Sequence, residues 1–278
     1  MSAAHAETPL RSIVCKMNFV DASRGNRMFV ATDQAKSEVS YLTHDVGVIN
    51  ARTLNHAPAL ETHGFALLKH QTDVTNFRDA EEVERVYRPE VERLIKSATG
   101  ADKVIVFHMQ LRDSGPEAAA GIRRPARIAH VDYDEDTFRL RTREVLGDEA
   151  DEWLQQRFMA INVWRGVIPV ENVPLAVCDA RTVTHGDLHP NAIRETPDQL
   201  TPYTGLMLDF RPEQQWYYYP DMQPDEALIF KLCDSEHGPL RHTVHSAIDD
   251  PTSRPDSTPR VSFEVRTIAF FRREGNNP

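Results

Sequence analysis

The sequence predicts a mainly β fold with flanking helices, an antiparallel sandwich or barrel. Helical periodicity is confined to the part before residue 157, short apolar runs separated by turn residues fill the rest, and no internal repeat or low-complexity tract competes with this pattern.

The elements follow in order. Residues 1–41 are polar and weakly patterned and read as an N-terminal arm or lid, leaving 42–278 as one domain. GFALLKH (Gly64 to His70) is short, apolar and opened by a glycine, which predicts a buried strand. Asp79 is placed to cap a helix from Ala80 to Ala98, with Val83, Val86, Tyr87, Val91, Leu94 and Ile95 at helical spacing, Pro89 starting a new turn or a kink, and Gly100 as the stop. The β-branched and aromatic run Val104 to Leu111 predicts a strand, Ser114 to Pro125 a loop, and Asp148 to Gln156 a helix with an acidic first turn. Strand-like runs then recur at Phe158 to Arg165, Leu175 to Val183, Gln215 to Tyr219, Ala227 to Leu232, His242 to Ile248 and Val261 to Phe271. The proline-rich stretch Asp249 to Pro259 reads as the loop before the last of these.

With 278 residues the chain is long enough to bury a core around an interior site. A formal charge of -10, from 32 basic and 42 acidic residues, argues against nucleic acid or an anionic membrane as partner and favours a small-molecule substrate. Cys15, Cys178 and Cys233 form no CxxC pair, so neither a disulfide framework nor a thiolate metal site is indicated, and a reducing cytoplasm is the default location. No basic flank precedes an apolar N-terminal core and no apolar run approaches bilayer length.

The chemistry is concentrated in histidines and carboxylates. Residues two apart on a strand share a face, so His130 and Asp132 can bind one ion together, and a distant histidine such as His245 completes a facial triad of the non-haem iron(II) type. The chain holds a second H-x-D, His185-Gly186-Asp187, in the turn-rich THGDLHP; its bland reading is an exposed turn, whereas the acidic residues after Asp132 read equally as a solvated loop. His242 competes with His245 but faces the other side of the same strand, and His237, beside Gly238 and Pro239, reads as a turn residue. Arg260, Ser262, Glu264 and Arg266 share one face of the last strand. Arg260 with Ser262 could hold the far carboxylate of a 2-oxo acid, and Arg266 is the alternative anchor; lying ~20 Å apart along the strand, the two arginines cannot do the same job. The bland reading pairs these arginines with acids. Asn162 and Trp164 share a strand face, the first able to orient a cosubstrate and the second, with Tyr133, able to line a pocket.

Between Gly64 and Phe271 the stretches RRPARIAHVDYDEDT, AINVWRGVIPVENVPLAVCDARTV, WYYYPDMQPDEALIFKLCDS and HTVHSAIDDPTSRPDSTPRVSFEVRTIAFF resemble the CmcJ/NvfI-like (AsaB-like) hydroxylase/desaturase family of natural-product pathways. The resemblance implies a double-stranded β-helix (jelly-roll, cupin-like) core, iron(II), and 2-oxoglutarate and dioxygen as cosubstrates. It implies metal ligands at His130, Asp132 and His245, and so chooses the first H-x-D. It further implies oxidation of a small natural-product-type metabolite by hydroxylation, desaturation, epoxidation or peroxide formation, with a homodimer as an expected assembly. Where the family usually has Trp-Arg-Pro this chain has Trp164-Arg165-Gly166, which weakens any carry-over of substrate. Two other readings use the same residues: a catalytically silent accessory partner of a biosynthetic enzyme, and a metal-dependent barrel enzyme that does not use 2-oxoglutarate.

Overall fold

The run Val261–Phe271 is a strand over the whole of its predicted length, and its alternation shows how the protein is layered. Ile268 and Phe270 point inward with Phe158, Ala160, Trp164, Leu228 and Phe230, while Val265 and Ala269 point outward against a helix carrying Val91 and Ile95. The structure is a computed structural model that describes residues 11–25, 27–31, 34–116, 122–196, 198–200, 202–236 and 238–272. His237 and residues 1–10 of the expected arm therefore lie outside the described residues.

In chain order the strands are β1 (Ser12–Val20), β2 (Arg27–Val30), β3 (Glu38–Val39), β4 (Tyr41–Asn50), β5 (Phe65–Lys69), β6 (Lys103–Asp113), β7 (His130–Val131) and β8 (Arg157–Gly166). They continue with β9 (Leu175–Cys178), β10 (Leu188–Arg194), β11 (Tyr203–Leu208), β12 (Trp216–Tyr218), β13 (Glu226–Asp234), β14 (His245–Ala247) and β15 (Val261–Phe271). They form one sheet in the order β1-β4-β12-β9-β14-β7-β11-β10-β2-β3 and a second in the order β5-β13-β8-β15-β6. Apolar side chains of both enclose a shared interior, giving the expected double-stranded β-helix.

The helical segment follows its local signals. Asp79 accepts hydrogen bonds from the amides of Glu81 and Glu82, capping α1 (Ala80–Glu82). A π turn (Val83–Tyr87) leads into α2 (Arg88–Thr99), where Pro89 takes a first-turn position that needs no amide donor, and Gly100 ends the helix with φ 72°. The helix expected from Asp148 is α4 (Ala150–Leu154), preceded by a 3-10 turn.

Several local readings differ: the strand expected from His242 to Ile248 is only β14, which leaves His242 outside it, and the strand expected from Leu175 to Val183 ends at Cys178 before a 3-10 turn. The acidic stretch after Asp132 is α3 (Glu135–Leu146): Asp134 caps the Thr137 amide at 2.8 Å, so Glu135 and Asp136 complement the helix dipole, and the bland reading of a solvated loop does not hold. The described part of the N-terminal stretch contributes β1, which pairs with β4 and buries Cys15, Met17 and Phe19; Lys16 and Asn18 between them give the apolar/polar alternation of a half-buried strand, a signal that the expectation of a weakly patterned arm passes over. Finally, β10 begins at Leu188, directly after the THGD turn, and passes through Pro190.

Candidate metal centre

β7 delivers His130 and passes the chain straight to Asp132. β14 opens with His245, which lies opposite His130 in an antiparallel pair, with the two rings 4.3 Å apart between centroids. His130 Nε2 is 3.7 Å from Asp132 Oδ1, and His245 Nε2 is 3.9 Å from Asp132 Oδ2. One donor atom from each residue falls within 4.8 Å of the others. Nδ1 of His130 lies 2.7 Å from the Ile128 carbonyl; a proton there donates to that oxygen and leaves Nε2 to face the centre. Burial and the neighbouring His130 push His245 down to about 3, so its imidazole is neutral at ordinary pH.

Asp132 is held ionised. Burial alone would raise its carboxyl, but the Arg266 charge and the facing histidines outweigh it and keep it well below the usual range. Arg266 donates to Asp132 Oδ1 at 2.7 Å and to Glu264 at 2.9 Å, and Asn162 donates to Asp132 Oδ2 at 3.3 Å. Glu264 in turn takes two hydrogen bonds from Arg112, at 3.0 and 2.9 Å. Arg266 and Asn162, both singled out in the sequence as cofactor-binding candidates, are thus brought against the carboxylate of the triad.

Arg260 and Ser262 lie further along β15. Arg260 is fully buried, donates to the Val173 carbonyl at 2.6 Å and stacks over Trp164 at 5.3 Å. Its Nε and the buried Ser262 hydroxyl have no hydrogen-bond partner, and no described carboxylate pairs with this guanidinium. Burial, reinforced by the Arg112 charge, pulls Arg260 down to about 9. A buried cation beside an unpartnered hydroxyl is complementary to a carboxylate.

The rival histidines lie elsewhere, His185 exposed and His242 bonded to the backbone. His185 and Asp187 sit in a 3-10 turn, where Asp187 accepts from the Thr184 amide at 2.8 Å and from Arg211 at 3.3 Å. His242 Nδ1 faces the Leu232 carbonyl at 2.7 Å. Tyr133 lines a cleft with His130 and Asp132, whereas Trp164 is buried beneath Arg260 and is not among that cleft's walls. At Gly166 a Cβ would lie 2.5 Å from the Ile168 carbonyl, so the Trp-Arg-Gly departure accompanies a turn too tight for a side chain. Sequence reasoning gave no role to Glu264 or Arg112; an alternating charged face on β15 was the available signal.

Two imidazoles and one ionised carboxylate fit a divalent ion with further positions open, and the orphaned Arg260 and Ser262 atoms fit an acid beside it. A family model described as "Oxidoreductase/YMDC permease-like domain" matches residues 17–270. The chain is 34% identical over 245 residues to the Fe(II)/2-oxoglutarate-dependent dioxygenase nvfI of Aspergillus novofumigatus, covering 85% of this chain and 87% of that protein. It is 34% identical over 254 residues to the hydroxylase/desaturase CTB9 of Cercospora beticola, covering 83% and 78% respectively. A solved structure of the iron and alpha-ketoglutarate-dependent endoperoxidase NvfI superimposes with a TM-score of 0.86 at 30% identity, over 94% of this chain and 99% of that one.

Proposed function

We propose a division of labour for a chain that belongs to the family of Fe(II)/2-oxoglutarate-dependent dioxygenases and hydroxylase/desaturases and to the family described as Oxidoreductase/YMDC permease-like domain. The enzyme uses iron(II), 2-oxoglutarate and dioxygen and acts on a small molecule. Bound iron, with the two cosubstrates, supplies an oxidant able to remove hydrogen from an unactivated carbon. The protein's own residues bind, orient and exclude water.

In our reading His130, Asp132 and His245 hold the iron. Arg266 and Asn162 fix the Asp132 carboxylate so that its charge and direction are set before the ion arrives. Arg260 and Ser262 receive the far carboxylate of 2-oxoglutarate, and that pairing removes the cost of leaving the guanidinium buried and alone. Tyr133 forms part of the substrate wall, and Trp164 supports Arg260 from below. The observation that carries this reading is the facing of His130 and His245 across one strand pair, with Asp132 between their Nε2 atoms.

The substrate is, in our reading, a natural-product-type metabolite oxidised by hydroxylation, desaturation or a related C–H oxidation. Among the described residues no helix is long and apolar enough to cross a membrane. All three cysteines are free and buried, which supports a reducing, cytoplasmic setting. A homodimer is supported by the edge position of β1, with Val14 63% exposed, and is checked by sedimentation.

The test is spectroscopic. Anaerobic enzyme given iron(II) and 2-oxoglutarate should develop the weak visible charge-transfer band of the chelate. His130→Ala should abolish the band and His185→Ala should retain it; the reverse pattern sinks the assignment.

A further inference from the structure

The cleft beside His130 and Asp132 is lined also by Ile128, Ile193, Met207 and Phe29 and, apart from Arg266 at the triad and the acidic Glu195, by Arg112, Arg123 and Arg124. In a chain of formal charge -10, this is a local concentration of positive charge beside an apolar wall. Two of the three arginines are already answered: Arg112 by Glu264 at 2.9 Å and Arg123 by Glu195. Arg124 is not. Its guanidinium donates to the carbonyls of Gly115 and Pro116, and among the described residues no carboxylate pairs with it. Two carbonyls orient a guanidinium without neutralising it, so the charge stays available to an anion. Arg124, Phe29, Ile128 and Met207 also line an adjoining groove of about 530 Å³, to which Tyr41 and Val39 add further apolar surface. That volume suits a small molecule.

We propose that the organic substrate is an amphiphilic acid. Its anionic group engages Arg124 at the rim, its apolar body lies along Ile128, Met207 and Phe29, and the carbon presented to the metal centre belongs to that body, remote from the acid. The proposal deepens the oxygenase reading and rests on it for the chemistry, but acid recognition by Arg124 is separable from that chemistry.

The probes are 4-phenylbutanoate and 4-phenylbutan-1-ol, which share an apolar body and differ in the acid. Each is titrated calorimetrically into anaerobic enzyme loaded with iron(II) and saturating 2-oxoglutarate, so that the cosubstrate site is filled. The acid should bind about tenfold more tightly than the alcohol. Arg124→Gln should erase that difference, Arg124→Lys should restore most of it, and Arg254→Gln, at an exposed arginine on the proline-rich loop, should leave it intact. Unchanged melting of Arg124→Gln establishes that the fold is preserved. Equal binding of acid and alcohol, no binding of either, or a preference that survives Arg124→Gln overturns the proposal. A normal chelate band without acid preference rejects the acid site alone, whereas acid preference without a chelate band rejects the metal-site reading alone.

Discussion

Asp132 meets two demands that pull against each other: a carboxylate buried to 5% exposure should neutralise itself, yet a metal ligand must be ionised. Arg266 resolves the conflict at 2.7 Å, and Glu264 and Arg112 keep Arg266 in place. Replacing Arg266 by Gln should therefore weaken iron(II) binding by roughly 10- to 100-fold, measured by anaerobic metal titration. Arg260 answers to a different ligand. Arg260→Gln should leave iron binding near the parent value but raise the 2-oxoglutarate concentration for half-saturation by about 100-fold, since a buried charge-assisted pairing is lost. An equal loss of iron affinity in both variants would show that Arg260 acts through the triad. At this scale the sequence made the ligand types legible, because H-x-D on a strand is a local pattern. It did not show that Arg266 spends its charge on Asp132 and Glu264 while Arg260 finds no acid, since those partners come from other strands.

Among the elements, β7 is only two residues long, and its position depends on close approach by β11. Gly205 on β11 permits that approach: an added Cβ would meet Ile193 Cδ1 at 2.5 Å, the Asp132 carbonyl at 2.9 Å and Asn191 Oδ1 at 3.0 Å. Gly205→Ala should cost about 1–3 kcal/mol of stability by overpacking. It should also weaken iron binding, because the strain falls on the backbone of a ligand; a urea melt and a metal titration on the same variant check both effects. Elements with strong local signals were legible in advance. The capped helix from Ala80, its stop at Gly100 and the long final strand all carry their cues in neighbouring residues. β10 and β11 were not legible, because polar residues and Pro190 interrupt them and their strand character comes from pairing with each other. The same holds for α3, whose acidic start resembles a loop until Asp134 is seen to cap it.

Over the whole molecule, Glu226 ties together segments far apart in sequence. It pairs with Arg52 at 2.6 Å and with Lys69 at 3.4 Å, and accepts the Gln223 amide at 2.9 Å, joining the end of β4, β5 and the start of β13. Burial opposes its ionisation, but these partners prevail and lower its carboxyl from 4.5 to about 2. A carboxyl lowered on folding contributes stability that is full above its unfolded value and is lost as pH falls. The window is therefore pH 4.5 down to about 2. Glu226→Gln should lower stability by roughly 1–2 kcal/mol near neutrality, discounted because Arg52 is partly exposed. Urea midpoints should show the gap from the parent protein closing as pH falls through that window; a gap independent of pH would assign the loss to packing.

The sequence by itself determined the ligand chemistry, the order of the main strands after residue 157, and the family, because side-chain alternation, caps and motif stretches are properties of neighbouring residues. Tertiary structure decided how closely His245 faces His130, which arginine is neutralised, and what each H-x-D touches. Those outcomes depend on strand register and on the distances between residues remote in the chain, and a two-residue spacing carries no information about what will face it.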